Sequence, residues 1–365
     1  MTTQSLTSSS SCEKGVMRLP RRLCVTMVFA AAAVMFMYLI YFNNEFLMSK
    51  VRNDEISSTH NPLLVGVVDE NPAIGISGQL EYDQQLEEYN DTKSSKLNMT
   101  LLSHHYHKVL ILTPINNAER HLGHYFELLN NFSYPHHLIS VALGEDSSYD
   151  ETLKTAVELA QKYRKITNFR KIDIYELDHH WKPPTNDRHD LFIQGPRRNH
   201  LAKARNRLLS SALSDEDYVL WIDSDVREIP PNVMQYLIAA QKDVVVPSCL
   251  YRKGDNSLDD YDRNTWRETN ESLAHLAAMS PNQLMVEGYA RTRRRYLWSL
   301  RFEGDVVPID GVGGCVLMIR ADCHRDGLTF PPFVYKHHIE TEGLAKIAKE
   351  MGFSIAGLPR LKVFH

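Results

Sequence analysis

The sequence predicts an α/β domain with a mostly parallel sheet and helices on both faces, preceded by one transmembrane helix and a stem. From Val109 onwards, short apolar runs alternate with helical stretches, a pattern typical of parallel strands joined by crossover helices. Near the N-terminus, 20 consecutive residues carry no ionisable acid or base, which is long enough to cross a bilayer. The chain has 365 residues, 43% hydrophobic and 24% charged, so whole-chain disorder is excluded.

The uncharged run at residues 23–42 is predicted to be a signal-anchor. Residues 1–22 before it form a cytoplasmic tail whose basic excess keeps the N-terminus in the cytoplasm: Lys14, Arg18, Arg21 and Arg22 against Glu13. A cleaved signal peptide is the alternative, but the run is too long and ends in the bulky Tyr41 and Phe42. We therefore expect a single-span type II protein with its remainder in the lumen.

Residues 43–107 are polar, without a sustained apolar period, and are predicted to be a lumenal stem with a short helix around Leu80–Tyr89. Four glycosylation sequons support the lumenal location: Asn90-Asp91-Thr92, Asn98-Met99-Thr100, Asn131-Phe132-Ser133 and Asn270-Glu271-Ser272. Three cysteines remain on that side, Cys249, Cys315 and Cys323, so at most one disulfide forms there. The net charge of −4 gives no overall attraction for nucleic acid.

Residues 108–365 are predicted to form the α/β domain, and its elements follow in order. Val109–Leu112 is a buried strand that ends at Thr113-Pro114, and Ala118–Asn130 is a helix. Leu138–Leu143 is the next strand; Gly144–Ser148 then caps a helix that runs to about Lys165. The later elements are a strand at Lys171–Glu176, a helix at Lys203–Leu213, a strand at Tyr218–Ile222, a helix at Asn232–Gln241, a strand at Asp243–Pro247, an apolar run at Cys315–Ile319, a helix at Leu344–Met351 and a terminal strand at Leu361–Phe364.

Two carboxylates follow the strand Tyr218–Ile222, at Asp223 and Asp225. Hard oxygen donors spaced i and i+2 can hold Mn²⁺ or Mg²⁺ and leave positions open for a diphosphate. The metal would neutralise the charge that develops on a leaving nucleoside diphosphate. The alternative is helix capping, because Asp225 precedes Pro230-Pro231 and a helix.

Basic residues lie close to this pair in the segment Gly195–Arg207. Of these we select Arg198, Arg205 and Asn206 as the inward-facing residues that would bind a diphosphate, with a solvated helix surface as the alternative. Asp146, at the end of a strand, could hydrogen-bond a nucleoside or cap the next helix. Thr113-Pro114 could shape a nucleotide pocket or simply turn the chain.

Three further signals lie in the C-terminal part. Asp310 opens the glycine-rich segment Gly311-Val312-Gly313-Gly314, which permits close backbone approach to a ligand or a tight turn. Glu342 lies in a predicted first helical turn, where acids are favoured by the helix dipole but could also act near a sugar. His365, after an apolar strand, is a chemically sensible metal ligand.

Taken together, these segments resemble the fungal mannan-polymerase mannosyltransferases, glycosyltransferase family 62. The segments that carry the resemblance are VLILTPINNAERHL (109–122), PHHLISVALGEDSS (135–148), GPRRNHLAKARNRLL (195–209), DYVLWIDSDVREIP (217–230), IDGVGGCVLMIRADCHRDGLTFPP (309–332) and IETEGLAKIAKEMGFSIAGLPRLKVFH (339–365). They occur in order and with compatible spacing over nearly all of residues 108–365.

The resemblance implies a GT-A fold, GDP-mannose as the donor, Mn²⁺ as the cofactor and α-mannosyl transfer with retention. On the family's pattern Asp223 and Asp225 match the metal-binding acids, and His365 matches the metal-ligating histidine. Asp310 and Glu342 match acids that line the sugar side of the pocket. A front-side displacement, in which the leaving diphosphate assists the acceptor hydroxyl, is the expected mechanism.

The sequence therefore leads to three hypotheses of function. The first is a Golgi α-mannosyltransferase that extends the α-1,6-linked mannan backbone of N-glycans, as a subunit of a hetero-oligomer with paralogous chains. The second is a non-catalytic scaffold subunit of the same complex. The third is a metal-dependent lumenal nucleotide diphosphatase, which leaves the glycines at 311–314 unexplained.

Overall fold

A computed structural model describes residues 106–177, 191–288 and 291–365 of the chain. The predicted tail, signal-anchor, stem helix and all but the last two residues of the stem lie outside these residues. Within the three described ranges, none of the helices combines the length and apolar character that crossing a bilayer requires.

One half of the main sheet is parallel. It consists of β1 (Val109–Ile115), β2 (Ile139–Glu145), β3 (Lys171–Glu176) and β4 (Tyr218–Ile222), in the spatial order β3-β2-β1-β4. β1 and β2 are almost continuously apolar and buried, as strands covered on both faces must be. Val109 pairs with Ile139 on one side and Tyr218 on the other, so the carboxyl ends of the strands meet at one edge.

The other half of the sheet is mixed. Beyond β4 the order continues with β10 (Val316–Arg320), β5 (Val244–Arg252), β11 (Ile355–Phe364) and β9 (Val307–Pro308). β10 is antiparallel to both neighbours, whereas β5 and β11 are parallel to each other. The short β6 (Leu258–Asp260) pairs with β5, and β7 (Trp266–Arg267) pairs with β8 (Arg295–Tyr296) in a separate ribbon. The fold is thus mixed α/β with a mostly parallel sheet.

Helices cover both faces of the sheet and create two cores. The helices are α1 (Glu119–Asn130), α2 (Thr152–Ile166), α3 (Leu191–Ala212), α4 (Val233–Ala239), α5 (Asn270–Ala278), α6 (Ala321–Arg325) and α7 (Glu340–Glu350). Side chains of α1, α2 and α4 pack with Val109 and Ile111 of β1. Those of α3 and α7 pack with Leu110 and Leu112, which point to the opposite face because strand side chains alternate.

Most predicted elements are confirmed, but several boundaries are wrong: the strand predicted to end at Pro247 runs to Arg252, and the helix predicted to begin at Leu344 begins at Glu340. The strands predicted at Lys171–Glu176 and Tyr218–Ile222 have the observed bounds. The helix predicted to begin at Lys203 begins at Leu191, because the chain stays helical through Pro196. The terminal strand predicted at Leu361–Phe364 begins at Ile355, with a register shift between Leu358 and Lys362.

A disulfide crosslinks β5 to the segment that precedes β10. Cys249 of β5 is bonded to Cys315, the residue before β10, and Cys323 is the free, buried cysteine of the described ranges. The backbone carbonyl of Cys315 accepts the N–H of Asp223 at 2.9 Å, and that of Cys249 accepts the N–H of Tyr261 at 2.9 Å. The backbone of Asp223 and that of Tyr261 are therefore each hydrogen-bonded to one of the two crosslinked cysteines.

Candidate functional site

The polar site lies at the carboxyl ends of β1 and β4, two neighbouring parallel strands in the middle of the sheet. β2 flanks β1 on one side and β4 on the other, so the topology predicts a crevice at the carboxyl ends of β1 and β4. Ligands of open α/β sheets bind at such a topological switch point. Asp223 and Asp225 follow β4 directly, as the sequence predicts.

His365 lies beside Asp225. Its Nε2 is 3.0 Å from Asp225 Oδ1, and its backbone N–H donates to the carbonyl of Leu250 at 3.0 Å. The imidazole also stacks on Tyr261, with ring centroids 3.7 Å apart and planes inclined by 11°. The predicted histidine is therefore held by a strand contact, a ring stack and a carboxylate.

The two aspartates differ in acidity. Desolvation raises the pKa of Asp223 to about 7; Arg205 opposes this rise, and the carboxylates of Asp225, Asp262 and Glu340 add to it. Desolvation also acts on Asp225, but the hydrogen bond and charge of His365 outweigh it and lower its pKa. The rise in the pKa of Asp223 therefore comes mainly from burial, and the neighbouring carboxylates contribute less to it.

Arg205 of α3 is the cation nearest to Asp223. The residue is 2% exposed, with Nη2 3.4 Å from Asp223 Oδ1 and Nε 2.8 Å from Glu340 Oε1. It lies over the rings of Trp221 and Phe330, at 5.1 and 5.5 Å from their centroids. Its Nε and Nη1 have no hydrogen-bond partner.

Two carboxylates of this site were not selected from the sequence. Glu340 is buried at the start of α7, and Asp262 follows β6 and accepts the N–H groups of Asn264 and Cys315 at 3.1 and 3.3 Å. Desolvation raises the pKa of Asp262. Neither follows an apolar strand directly, so the signal that marks Asp223 is missing. For Glu340 the available signal was its place beside Glu342 at a helix start.

The glycines of the 311–314 segment admit side chains of this site. A Cβ on Gly313 would lie 1.7 Å from Asp262 Oδ2, and a Cβ on Gly314 would lie 2.5 Å from Arg205 Nη2. The close approach predicted there is observed, and in this structure it is made by the protein's own Asp262 and Arg205. The glycines thus shape the site by letting two charged groups reach the backbone.

Arg198 and Glu342 form a second buried pair. Arg198 Nη1 donates to Glu342 Oε2 at 2.6 Å, and Trp266 Nε1 donates to Oε1 of the same carboxylate at 3.0 Å. Glu342 is fully buried, and desolvation raises its pKa to about 7. The guanidinium of Arg294 packs over the Trp266 ring, with its Cζ 3.5 Å from the ring centroid.

The other predicted residues make contacts within the fold, and their roles toward a nucleotide stay predictions. Thr113 is buried and its hydroxyl donates to the carbonyl of Ile222 at 2.8 Å, while Pro114 pairs with Gly144 at the strand edge. Asn206 both donates to and accepts from the backbone of Phe330. Asp146 contacts His200 at 2.8 Å, and Asp310 accepts the N–H of Glu268 at 2.7 Å and contacts Lys349.

The donor set at the end of β4 suits a divalent cation. In the part of the chain that the structure describes, no three His, Cys, Asp or Glu side chains stand in an arrangement that could hold a metal ion. Asp223, Asp225 and His365 nonetheless supply the carboxylate oxygens and imidazole nitrogen that Mn²⁺ accepts. The 3.0 Å contact of Asp225 with His365 brings two of the three predicted ligands together, and the role of all three toward a metal stays a prediction.

Comparison with known proteins identifies the family. The Anp1 family model matches residues 86–334. The chain belongs to the Anp1 family. The mannan polymerase II complex anp1 subunit of Schizosaccharomyces pombe is 37% identical to this Anp1-family chain over 71% of the chain and 64% of the relative. The mannan polymerase complex subunit MNN9 of Candida albicans is 37% identical over 71% and 74%, respectively. The resemblance described from the sequence is thereby confirmed.

The Anp1-family chain matches only part of some relatives. It spans just under two thirds of the Schizosaccharomyces pombe subunit and 55% of the Saccharomyces cerevisiae mannan polymerase II complex ANP1 subunit, to which it is 33% identical. Among solved structures, mannosyltransferase PcManGT from Pyrobaculum calidifontis in complex with GDP-Man and Mn²⁺ matches with a TM-score of 0.44 and 14% identity. That match covers 72% of this chain and 57% of PcManGT.

Proposed function

We propose that this Anp1-family chain is a Golgi α-mannosyltransferase of the GT-A type that transfers mannose from GDP-mannose to the α-1,6-mannan backbone of N-glycans. It would act in the lumen, anchored by residues 23–42, as a subunit of a hetero-oligomer with paralogous chains. The names of its relatives as mannan polymerase subunits support the assembly. The polar crevice at the end of β4 supports the chemistry.

The proposal depends on side chains from three separate elements that contact one another at the end of β4. Asp223 and Asp225 come from the end of β4, His365 from the end of β11, and Arg205 from α3. A nucleoside diphosphate needs both a divalent cation and fixed N–H donors. The acids and His365 fit the first requirement, and Nη1 of Arg205, which is buried without a hydrogen-bond partner, fits the second.

The residues of the site have separate proposed roles. Asp223, Asp225 and His365 would hold Mn²⁺, which when bound neutralises charge on the leaving diphosphate. Arg205 donates to diphosphate oxygens, and Arg198, fixed by Glu342, extends the positive lining of the crevice. Glu342 itself is fully buried and hydrogen-bonded on both oxygens, which suits a positioning residue.

The transfer follows from this arrangement as a front-side displacement. The acceptor hydroxyl oxygen forms a bond to C1 of the mannosyl group while the bond from C1 to the GDP oxygen breaks on the same face. The hydroxyl proton passes to the leaving diphosphate oxygen. No protein nucleophile is required, so the α-configuration is retained without a covalent intermediate.

The test is release of GDP from GDP-mannose with an oligomannose acceptor and Mn²⁺, using the complex purified from cells. Asp225→Ala should lower the rate at least about a hundredfold, because a ligand to the charge-neutralising cation is lost. The control is Asp322→Ala, which removes an exposed carboxylate in α6. An unchanged rate in Asp225→Ala overturns the proposal.

A scaffold role is the second candidate, because the relatives are named as subunits of complexes. It predicts that the purified complex transfers mannose equally well with wild-type chain and with Asp225→Ala, while removal of the whole chain abolishes assembly. Hydrolysis of GDP to GMP and phosphate without any acceptor would instead indicate a nucleotide diphosphatase.

A further inference from the structure

Arg205 is shared between two carboxylates that compete for it. Its Nη2 lies 3.4 Å from Asp223 Oδ1 and its Nε lies 2.8 Å from Glu340 Oε1. A guanidinium carries one positive charge, and a cation bound at Asp223 meets that charge at short range. The position of Arg205 therefore influences how well Asp223 can bind a cation.

The contact of Arg205 with Glu340 is close but incomplete. Arg205 Nε and Glu340 Oε1 are both buried, and neither makes a hydrogen bond. Buried polar atoms without partners are costly, so a small rotation of the guanidinium that aligns them is favourable. Gly314 leaves room for such a rotation, because a side chain there would collide with Arg205 Nη2.

The backbone at Glu340 is strained, which indicates that its position is required. Its φ is +58°, in the left-handed region that residues other than glycine seldom adopt, and the residue is 4% exposed. Strain of this kind persists only where the surrounding structure imposes it, and it concentrates at functional sites. Here it aims the carboxylate at Arg205, while Thr341 donates to its other oxygen at 3.1 Å.

We propose that Glu340 is a positioning residue that draws Arg205 away from Asp223 and thereby raises the affinity of the Asp223–Asp225 pair for a divalent cation. With Arg205 aligned on Glu340, Asp223 is released to the cation, and the outer nitrogens of Arg205 remain available to an anion. This inference rests on the proposed function, which places the cation at that pair.

The experiment is a Mn²⁺ titration of the purified full chain, followed by the electron paramagnetic resonance signal of free Mn²⁺. Glu340→Gln keeps the shape of the side chain and should weaken Mn²⁺ binding about tenfold. Glu340→Asp keeps the charge, tolerates a positive φ and should fall between Glu340→Gln and wild type. The control Glu350→Gln removes a charge at the other end of α7, where Glu350 contacts Tyr335 and Lys336, and should bind as wild type.

A double-mutant cycle separates positioning from simple loss of charge. In the Arg205→Met background the effect of Glu340→Gln should be at least about threefold smaller, because no arginine remains to be positioned. An equal effect in both backgrounds, or wild-type affinity in a Glu340→Gln chain with an unchanged unfolding midpoint, overturns the inference. If Asp225→Ala binds Mn²⁺ as wild type does, the proposed function itself fails.

Discussion

Replacement of Gly313 by alanine tests how the glycine segment builds the site. The added Cβ would lie 1.7 Å from Asp262 Oδ2 and 2.1 Å from Cγ, whereas real Cβ contacts are essentially never shorter than 3.0 Å. Asp262 must therefore leave its position and give up the N–H groups of Asn264 and Cys315. Two hydrogen bonds to a carboxylate are worth about 3 to 5 kcal/mol together, so Gly313→Ala should lower the free energy of unfolding by about that amount.

The assay is urea unfolding of the full chain, followed by tryptophan fluorescence. The matched control is Gly123→Ala in the exposed middle of α1, where a Cβ meets nothing within 4 Å. That substitution should raise the free energy of unfolding by about 0.5 to 1 kcal/mol through helix propensity. Gly313→Ala with wild-type stability would refute the claim that Asp262 occupies this space.

Three further predictions address the buried charges, the pH dependence and the location of the chain. Arg294→Met should cost about 3 to 5 kcal/mol by leaving the buried Glu287 without its ion-pair partner, whereas Arg293→Met should cost less than about 1 kcal/mol because its ion pair is exposed; urea unfolding compares them. Desolvation raises the pKa of Asp223 from 3.8 to about 7 in the folded chain, so the folded chain binds this proton more tightly than the unfolded chain. Without metal, the free energy of unfolding should therefore decrease as the pH rises from about 4 to about 7. Asp223→Asn should flatten this slope in thermal unfolding with EDTA. Asn131 and Asn270 are exposed, so endoglycosidase treatment of the chain from cells should shift its mobility if the domain is lumenal, and the double Asn→Gln variant should shift less.

The sequence predicts the elements whose pattern is local. β4 has the predicted bounds because the apolar run Tyr218–Ile222 ends abruptly at a charged residue. β11 was predicted only in part, because Gly357 and Pro359 read as turn signals although β5 and β9 pair with this segment. The start of α3 was missed for a similar reason, since Gly195-Pro196 normally interrupts a helix.

In the candidate site, too, the sequence predicts the residues that have a local signal and misses the contacts that depend on tertiary packing. Asp223, Asp225 and His365 could be selected because each follows an apolar strand. The partnership of Arg205 with Glu340 could not, since it joins residues 135 positions apart and depends on the strained backbone of Glu340 at the start of α7. The internal pairing of Arg198 with Glu342 likewise arises from tertiary packing around Trp266.

Anomalous X-ray diffraction from crystals of the chain soaked with Mn²⁺ and GDP tests the proposed metal site most directly. We expect one manganese peak among the carboxylates of Asp223 and Asp225 and the imidazole of His365, with the diphosphate between it and Arg205. GDP bound in the crevice with its manganese held by other side chains, or with none, would contradict this expectation.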